Sequence, residues 1–176
     1  MIITDSEIIE GVKIITLKQF NDERGQLLKP FIKSFFLEKF NFDTKEVWFT
    51  FSKKNVVRAM HMQVAPKPSN KIVGLIQGAV TDVLLDTRKN SPTYGQTESF
   101  DLIHSEDSLT FLFIPVGVSH GYKVNQENSI VMYLGDEYHD GNSDVGFKWN
   151  SFGFDWQIEN PIISERDLTL PKFTKA

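Results

Sequence analysis

The run VVRAMHMQ, residues 56–63, places a guanidinium at Arg58 and an imidazole at His61 within an otherwise apolar, strand-like stretch. Each polar group costs free energy in such a run unless it finds a partner. Either both lie at a wet edge, or the strand carries them into a site. Alternation along a strand puts Ala59, His61 and Gln63 on one face. The same parity groups Lys71, Val73 and Leu75, and also Ser129, Val131 and Tyr133. If these faces line one interior, a base, a cation and a phenol converge. That set suits proton abstraction beside a carbonyl. An imidazole takes the proton, an ammonium holds the enolate oxygen, and a phenol returns a proton. Parity sets Arg58 on the face opposite His61 unless a bulge intervenes. The plainer reading of His61 is a buried neutral imidazole satisfied by a backbone group.

Metal chemistry has to be weighed against this, because there are four histidines, at 61, 104, 120 and 139. The stretch PVGVSH, Pro115 to His120, has the P-x-G-x-x-H form of the second cupin motif. The first cupin motif needs an H-x-H pair and a carboxylate. Here Gln63 stands where the second histidine belongs, and no Glu follows at short spacing. The barrel pattern is therefore present and the metal triad is broken, so neither a metal nor another cofactor is expected. His104 and His139 fall in polar, turn-like surroundings, and His104 reads as exposed. The absence of cysteine excludes a thiol nucleophile and a thiolate metal site.

The elements that must position these groups read as strands. Short runs such as EVWFTFS, KIVGLIQGAVTDVLLD, LTFLFIPVG and SIVMYLG are rich in β-branched and aromatic residues. Turn signals such as NDERG, SKKN, APKPSN and KNSPTYG separate them. The stretch GQLLKPFI also reads as a strand, while helix fits only KSFFLEKF and the region of SERDL. Many short strands at fairly regular spacing predict an all-β sandwich or barrel. Its 176 residues suit one domain, residues 1–176. The net charge of -4 is spread without blocks, giving no reason to expect nucleic acid or a membrane surface as partner. MIITDSEIIEG has no basic segment followed by an apolar one, so a cytoplasmic protein is expected.

An ordered set of motifs now connects these readings. DERG (22–25), VVRAMHMQ, NKIVGLIQGAVTDVLLDTRKNSPTYG (70–95), FIPVGVSHGY (113–122), MYLGDEY, WNSFGFDW and PIISERD (161–167) together resemble the dTDP-4-dehydrorhamnose 3,5-epimerases. The resemblance implies a cupin-type jelly-roll barrel of antiparallel strands, a nucleotide-linked keto-sugar substrate and catalysis without a cofactor. It implies that His61 in RAMH is the base, oriented by Asp167 in SERD, that Tyr133 in MYL is the proton donor, and that Lys71 faces the C4 oxygen. Arg24, Arg58, His120, Asp144 and Arg166 align with substrate contacts, with Arg24 and Arg58 near the diphosphate. Arginine suits that task because its planar fork matches phosphate oxygens. The family also implies a homodimer in which an N-terminal segment, residues 1 to about 35, is exchanged or packed across to the partner.

Departures from the family pattern concentrate on the nucleoside side. Lys29 stands at the position of a Glu, and Tyr138-His139 replaces a Tyr-Tyr pair whose second ring stacks on thymine. EVWFT replaces a Q-x-N stretch, and Ala59 replaces a Gly before the base. These changes keep a GDP-linked 4-keto-heptose epimerase and a 3,4-ketoisomerase open beside the dTDP-hexose reading. A non-catalytic cupin-like sugar-binding domain is the alternative from another class. Inversion at C3, at C5 or at both fits the same residues.

Overall fold

Residues with a preference for pleated surfaces find them throughout the computed structural model, which describes residues 1–175. Its strands are β1 (Ile2–Asp5), β2 (Lys13–Lys18), β3 (Phe20–Asp22), β4 (Gly25–Leu27), β5 (Glu46–Ser52), β6 (Val57–Gln63) and β7 (Lys71–Gln77). They continue with β8 (Ala79–Asp86), β9 (Thr97–Ile103), β10 (Ser108–Ile114), β11 (Val118–Val124), β12 (Ser129–Gly135) and β13 (Asp144–Gly146). The helices are α1 (Lys33–Phe40) and α2 (Glu165–Thr169), at the two places expected. No described helix is long and apolar enough to cross a membrane.

Two antiparallel sheets face each other, in the orders β1-β2-β10-β7-β12-β5 and β13-β6-β11-β8-β9. This is the expected all-β jelly-roll barrel. Between the sheets lies a core that includes Val73, Leu75, Leu112 and Val131 from one sheet and Val80, Leu84, Val118 and Val124 from the other. Each sheet is covered on its outer face as well. Helix α1 inserts Phe36 against Phe111, Phe113 and Met132. The C-terminal segment lays Trp149, Phe152, Phe154 and Trp156 over Val57, Met60 and Leu85. Much of the chain's aromatic content thus seals the outside of the barrel.

One stretch departs from its expected form. GQLLKPFI contributes only the three exposed residues of β4, paired with β3 in a hairpin. Pro30 has no N–H to give to a ladder, and the chain turns into α1 three residues later.

The feature that matters most for the site is a bulge in β6. His61 pairs with His120 and Arg58 with Tyr122, so three steps along β6 match two along β11. The extra residue reverses the alternation between them and brings Arg58 to the same side as His61. Glycines permit the close approach this needs. A Cβ at Gly121 would lie 2.6 Å from the Ala59 Cβ and 2.8 Å from the Arg58 carbonyl oxygen. On the other flank, a Cβ at Gly146 would fall 1.9 Å from the Met60 carbonyl oxygen.

Candidate active site

Strands β5, β7 and β12 of one sheet and β6, β11 and β13 of the other line a cavity of about 830 Å³, closed on one side by the start of α2. His61, Lys71, Tyr133 and Asp167 all line it, as do Arg58, His120, His139, Asp144 and Arg166.

His61 and Asp167 form a dyad. Nε2 of His61 lies 2.8 Å from Oδ1 of Asp167. The second carboxylate oxygen accepts the Ala59 N–H at 3.3 Å. Asp167 sits in the first turn of α2, where its own N–H donates to the Ser164 hydroxyl that caps the helix. A carboxylate here requires the N–H tautomer at Nε2, which leaves the Nδ1 lone pair to receive a proton. Burial pushes the Asp167 carboxyl up, but the His61 hydrogen bond and charge, with the Ala59 N–H and the Ser164 contact, hold it below the ordinary 3.8. The unfolded chain therefore binds the extra proton first, so stability rises with pH across this window. The contribution is complete above pH 3.8 and is lost as pH falls through the lower folded value. Chemical denaturation of wild type and Asp167→Asn between pH 2 and pH 6 should show their stability difference shrinking below pH 3.8. A difference that stays constant across this range would contradict the assignment.

Tyr133 is 6% exposed and enters from β12. Its ring stacks on Trp48 with centroids 5.0 Å apart and meets His120 edge-on at 5.9 Å. Burial raises its phenol well above 10, and Tyr122 and the Asp82 carboxylate add to this against an opposing Arg58. Such a phenol keeps its proton at neutral pH until a strong base forms beside it. Lys71 opens β7. Desolvation lowers its ammonium from 10.5, with Asp144 opposing and Arg166 reinforcing the change. Its charge is thus poorly hydrated and ready to meet a developing oxyanion.

The remaining groups are held by neighbours. Arg58 donates from Nε to the Ser52 hydroxyl at 3.3 Å. Arg166 pairs with Asp144 at 2.8 Å, joining α2 to β13. The His139 N–H donates to Glu46 at 3.1 Å. Gln63, at the position of a cupin ligand, donates instead to the carbonyls of Lys67 and Tyr138, at 2.6 and 3.0 Å. Among the described residues, no group of three His, Asp or Glu stands close enough to hold a metal ion.

Three predicted contacts lie away from this chain's cavity. Arg24 projects from the β3–β4 hairpin, 83% exposed and paired with Asp22 at 2.5 Å. Lys29 is exposed, and Tyr138 is 59% exposed with the Lys45 ammonium 5.6 Å from its ring centre. His104, expected to be exposed, is half-buried with Nδ1 2.8 Å from the Ile76 carbonyl, because the turn after β9 folds it back on β7.

Sequence reasoning missed Asp82, whose Oδ2 lies 2.7 Å from Nε2 of the buried His120. The signal was there: a carboxylate inside the apolar run AVTDVLL needs a partner as much as His61 does. It also missed Tyr122, whose hydroxyl meets the Thr50 hydroxyl at 2.7 Å, and gave no role to Trp48.

Known proteins resemble this chain in sequence and in fold. The family model described as dTDP-4-dehydrorhamnose 3,5-epimerase matches residues 6–175. The enzyme of that name from Shigella flexneri is 32% identical over 96% of this chain and 94% of its own length. The one from Methanothermobacter thermautotrophicus is 34% identical over 90% of this chain and 88% of its own. The crystal structure of the Bacillus anthracis enzyme with TDP and PPi bound superposes with a TM-score of 0.87, at 29% identity, covering 97% of this chain and 98% of that one. The chain belongs to the dTDP-4-dehydrorhamnose 3,5-epimerase family, enzymes of the cupin-type jelly-roll fold.

Proposed function

We propose that this protein epimerises a nucleotide-linked 4-keto-6-deoxy sugar at C3 and C5, by removing a proton and replacing it on the opposite face. The observation that carries the reading is the His61–Asp167 dyad sharing one cavity with Lys71 and with a Tyr133 phenol held in its acid form. The C4 ketone acidifies the hydrogens on both neighbouring carbons. His61 takes one through Nδ1 while Asp167 stabilises the imidazolium through Nε2. The electron pair moves to O4, where the Lys71 ammonium neutralises it. Tyr133 then gives its proton to the carbon from the other side, and His61 and the tyrosinate return to their starting states through solvent. No electron is gained or lost, so the cycle needs no redox cofactor. A sugar-binding module would have no use for a base, its carboxylate and a protonated phenol around one space.

The active unit in this reading is a homodimer of single-domain chains. Strand β5 is the edge of its sheet and exposes Val47, Phe49 and Phe51 on its outer face. An apolar edge of this kind is satisfied by a second chain. The N-terminal segment then carries Arg24 and Lys29 to the partner's nucleotide, which accounts for their distance from this chain's own cavity.

Lys29 and the Tyr138-His139 pair favour testing a second nucleotide. The protein should be incubated with dTDP- and GDP-linked 4-keto sugars, and the products reduced and identified. Inverted product from the dTDP-linked hexose is expected. Turnover of the GDP-linked sugar alone would move the assignment to a GDP-sugar epimerase, and a product with its carbonyl shifted to C3 would identify a ketoisomerase.

A further inference from the structure

Trp48 lies directly opposite Tyr133 in the β5–β12 ladder. Its indole is parallel to the phenol within 6°, with centroids 5.0 Å apart. Space for the indole comes from Gly135, two residues along β12 on the same face. A Cβ there would lie 3.2 Å from Cζ3 of Trp48 and 3.5 Å from Cη2. The edge of His120 meets the Tyr133 ring at 5.9 Å and 75°, and His120 is itself fixed by the buried Asp82. The phenol is therefore confined by an indole face and an imidazole edge.

We propose that Trp48 is a positioning residue for Tyr133, fixing the phenol at the depth and angle from which it protonates the reacting carbon. This rests on the epimerase reading above. In that reaction two groups can return a proton to the same enolate. Return from the side of His61 restores the original configuration and only exchanges the hydrogen with solvent. Delivery by Tyr133 inverts the carbon. Trp48 stacks on one of these groups, and among the described residues no hydrogen bond or ring contact joins it to the His61–Asp167 dyad, so loosening it should change the partition rather than the first step. A positioning error of about 1 Å costs roughly 10²-fold in such a step.

The test is Trp48→Leu, with Trp48→Phe as the conservative variant, each followed in deuterium oxide for both solvent exchange and inverted product. In Trp48→Leu, inversion is expected to fall roughly 10–100-fold while exchange falls less than about threefold. Trp48→Phe keeps an aromatic face and should recover most of the inversion. Exchange and inversion falling in step would mark Trp48 as merely structural, and an unchanged ratio would remove it from the reaction; either overturns the proposal. A readout independent of turnover is the NMR signal of the Tyr133 ring, assigned with Tyr133→Phe. The indole ring current should displace it in wild type and not in Trp48→Leu, and an undisplaced wild-type signal also overturns the proposal. A wild type that neither exchanges nor inverts any keto sugar defeats the epimerase reading and this inference with it. Wild-type turnover with an unaltered ratio in the variant defeats this inference alone.

Discussion

Replacing His61 with asparagine is expected to reduce deuterium incorporation at C3 and C5 by about 10²–10⁴-fold, the contribution of a positioned general base. Asparagine keeps a polar group of similar reach beside Asp167 but has no lone pair basic enough to take a carbon-bound proton. The variant should fold, because His61 is partly exposed and the carboxylate keeps its Ala59 N–H and its place beneath the Ser164 cap. Loss of one charge-assisted hydrogen bond costs about 1–3 kcal/mol, which lowers the melting temperature without abolishing the structure. Exchange at both carbons should fail together, since a single base serves both in this mechanism. Wild-type exchange in a folded His61→Asn variant would move the base elsewhere in the cavity. His120 would then be the first candidate, as the second imidazole held by a carboxylate.

Tyr133→Phe has the other large effect, of a different kind. The ring and its stack on Trp48 remain and only the hydroxyl is removed. Deprotonation by His61 should continue, so deuterium still enters the substrate with retention. Inverted product should fall by about 10²–10⁴-fold, the contribution of general acid catalysis. Little stability should be lost, because the Tyr122 hydroxyl keeps its partner in Thr50 at 2.7 Å. Quantifying deuterium in recovered substrate and in product separately distinguishes the two steps. A normal yield of inverted product would assign proton delivery to water or to Tyr138, which stands 59% exposed outside the cavity.

How far the sequence foretold this arrangement depended on the range of each signal. Alternation was enough to put Lys71 and Tyr133 into one interior with His61, because strand parity is a local property. Arg58 needed a bulge, and the sequence could state that condition without locating it. The extra residue is visible only when β6 is laid against β11, where Gly121 makes room for Ala59. Asp82 and Trp48 went unassigned for the same reason: their partners, His120 and Tyr133, lie 38 and 85 residues away. The helix at KSFFLEKF was legible because its phenylalanines recur on the face that packs on the sheet, whereas GQLLKPFI misled because its apolar residues serve a hairpin and a loop. Alignment of Arg24 and Lys29 with nucleotide contacts came from resemblance alone, and one chain by itself holds both away from the cavity.

The most direct test follows the wild-type protein and dTDP-4-keto-6-deoxyglucose by proton NMR in deuterium oxide, with chelator present. The mechanism predicts loss of the C3 and C5 proton signals, with one solvent deuteron at each inverted carbon of the product and no change in redox state. Inversion with retention of the original C3 and C5 hydrogens would contradict a solvent-connected His61–Tyr133 pair. The absence of both exchange and inversion with every dTDP- and GDP-linked keto sugar would contradict the epimerase assignment itself.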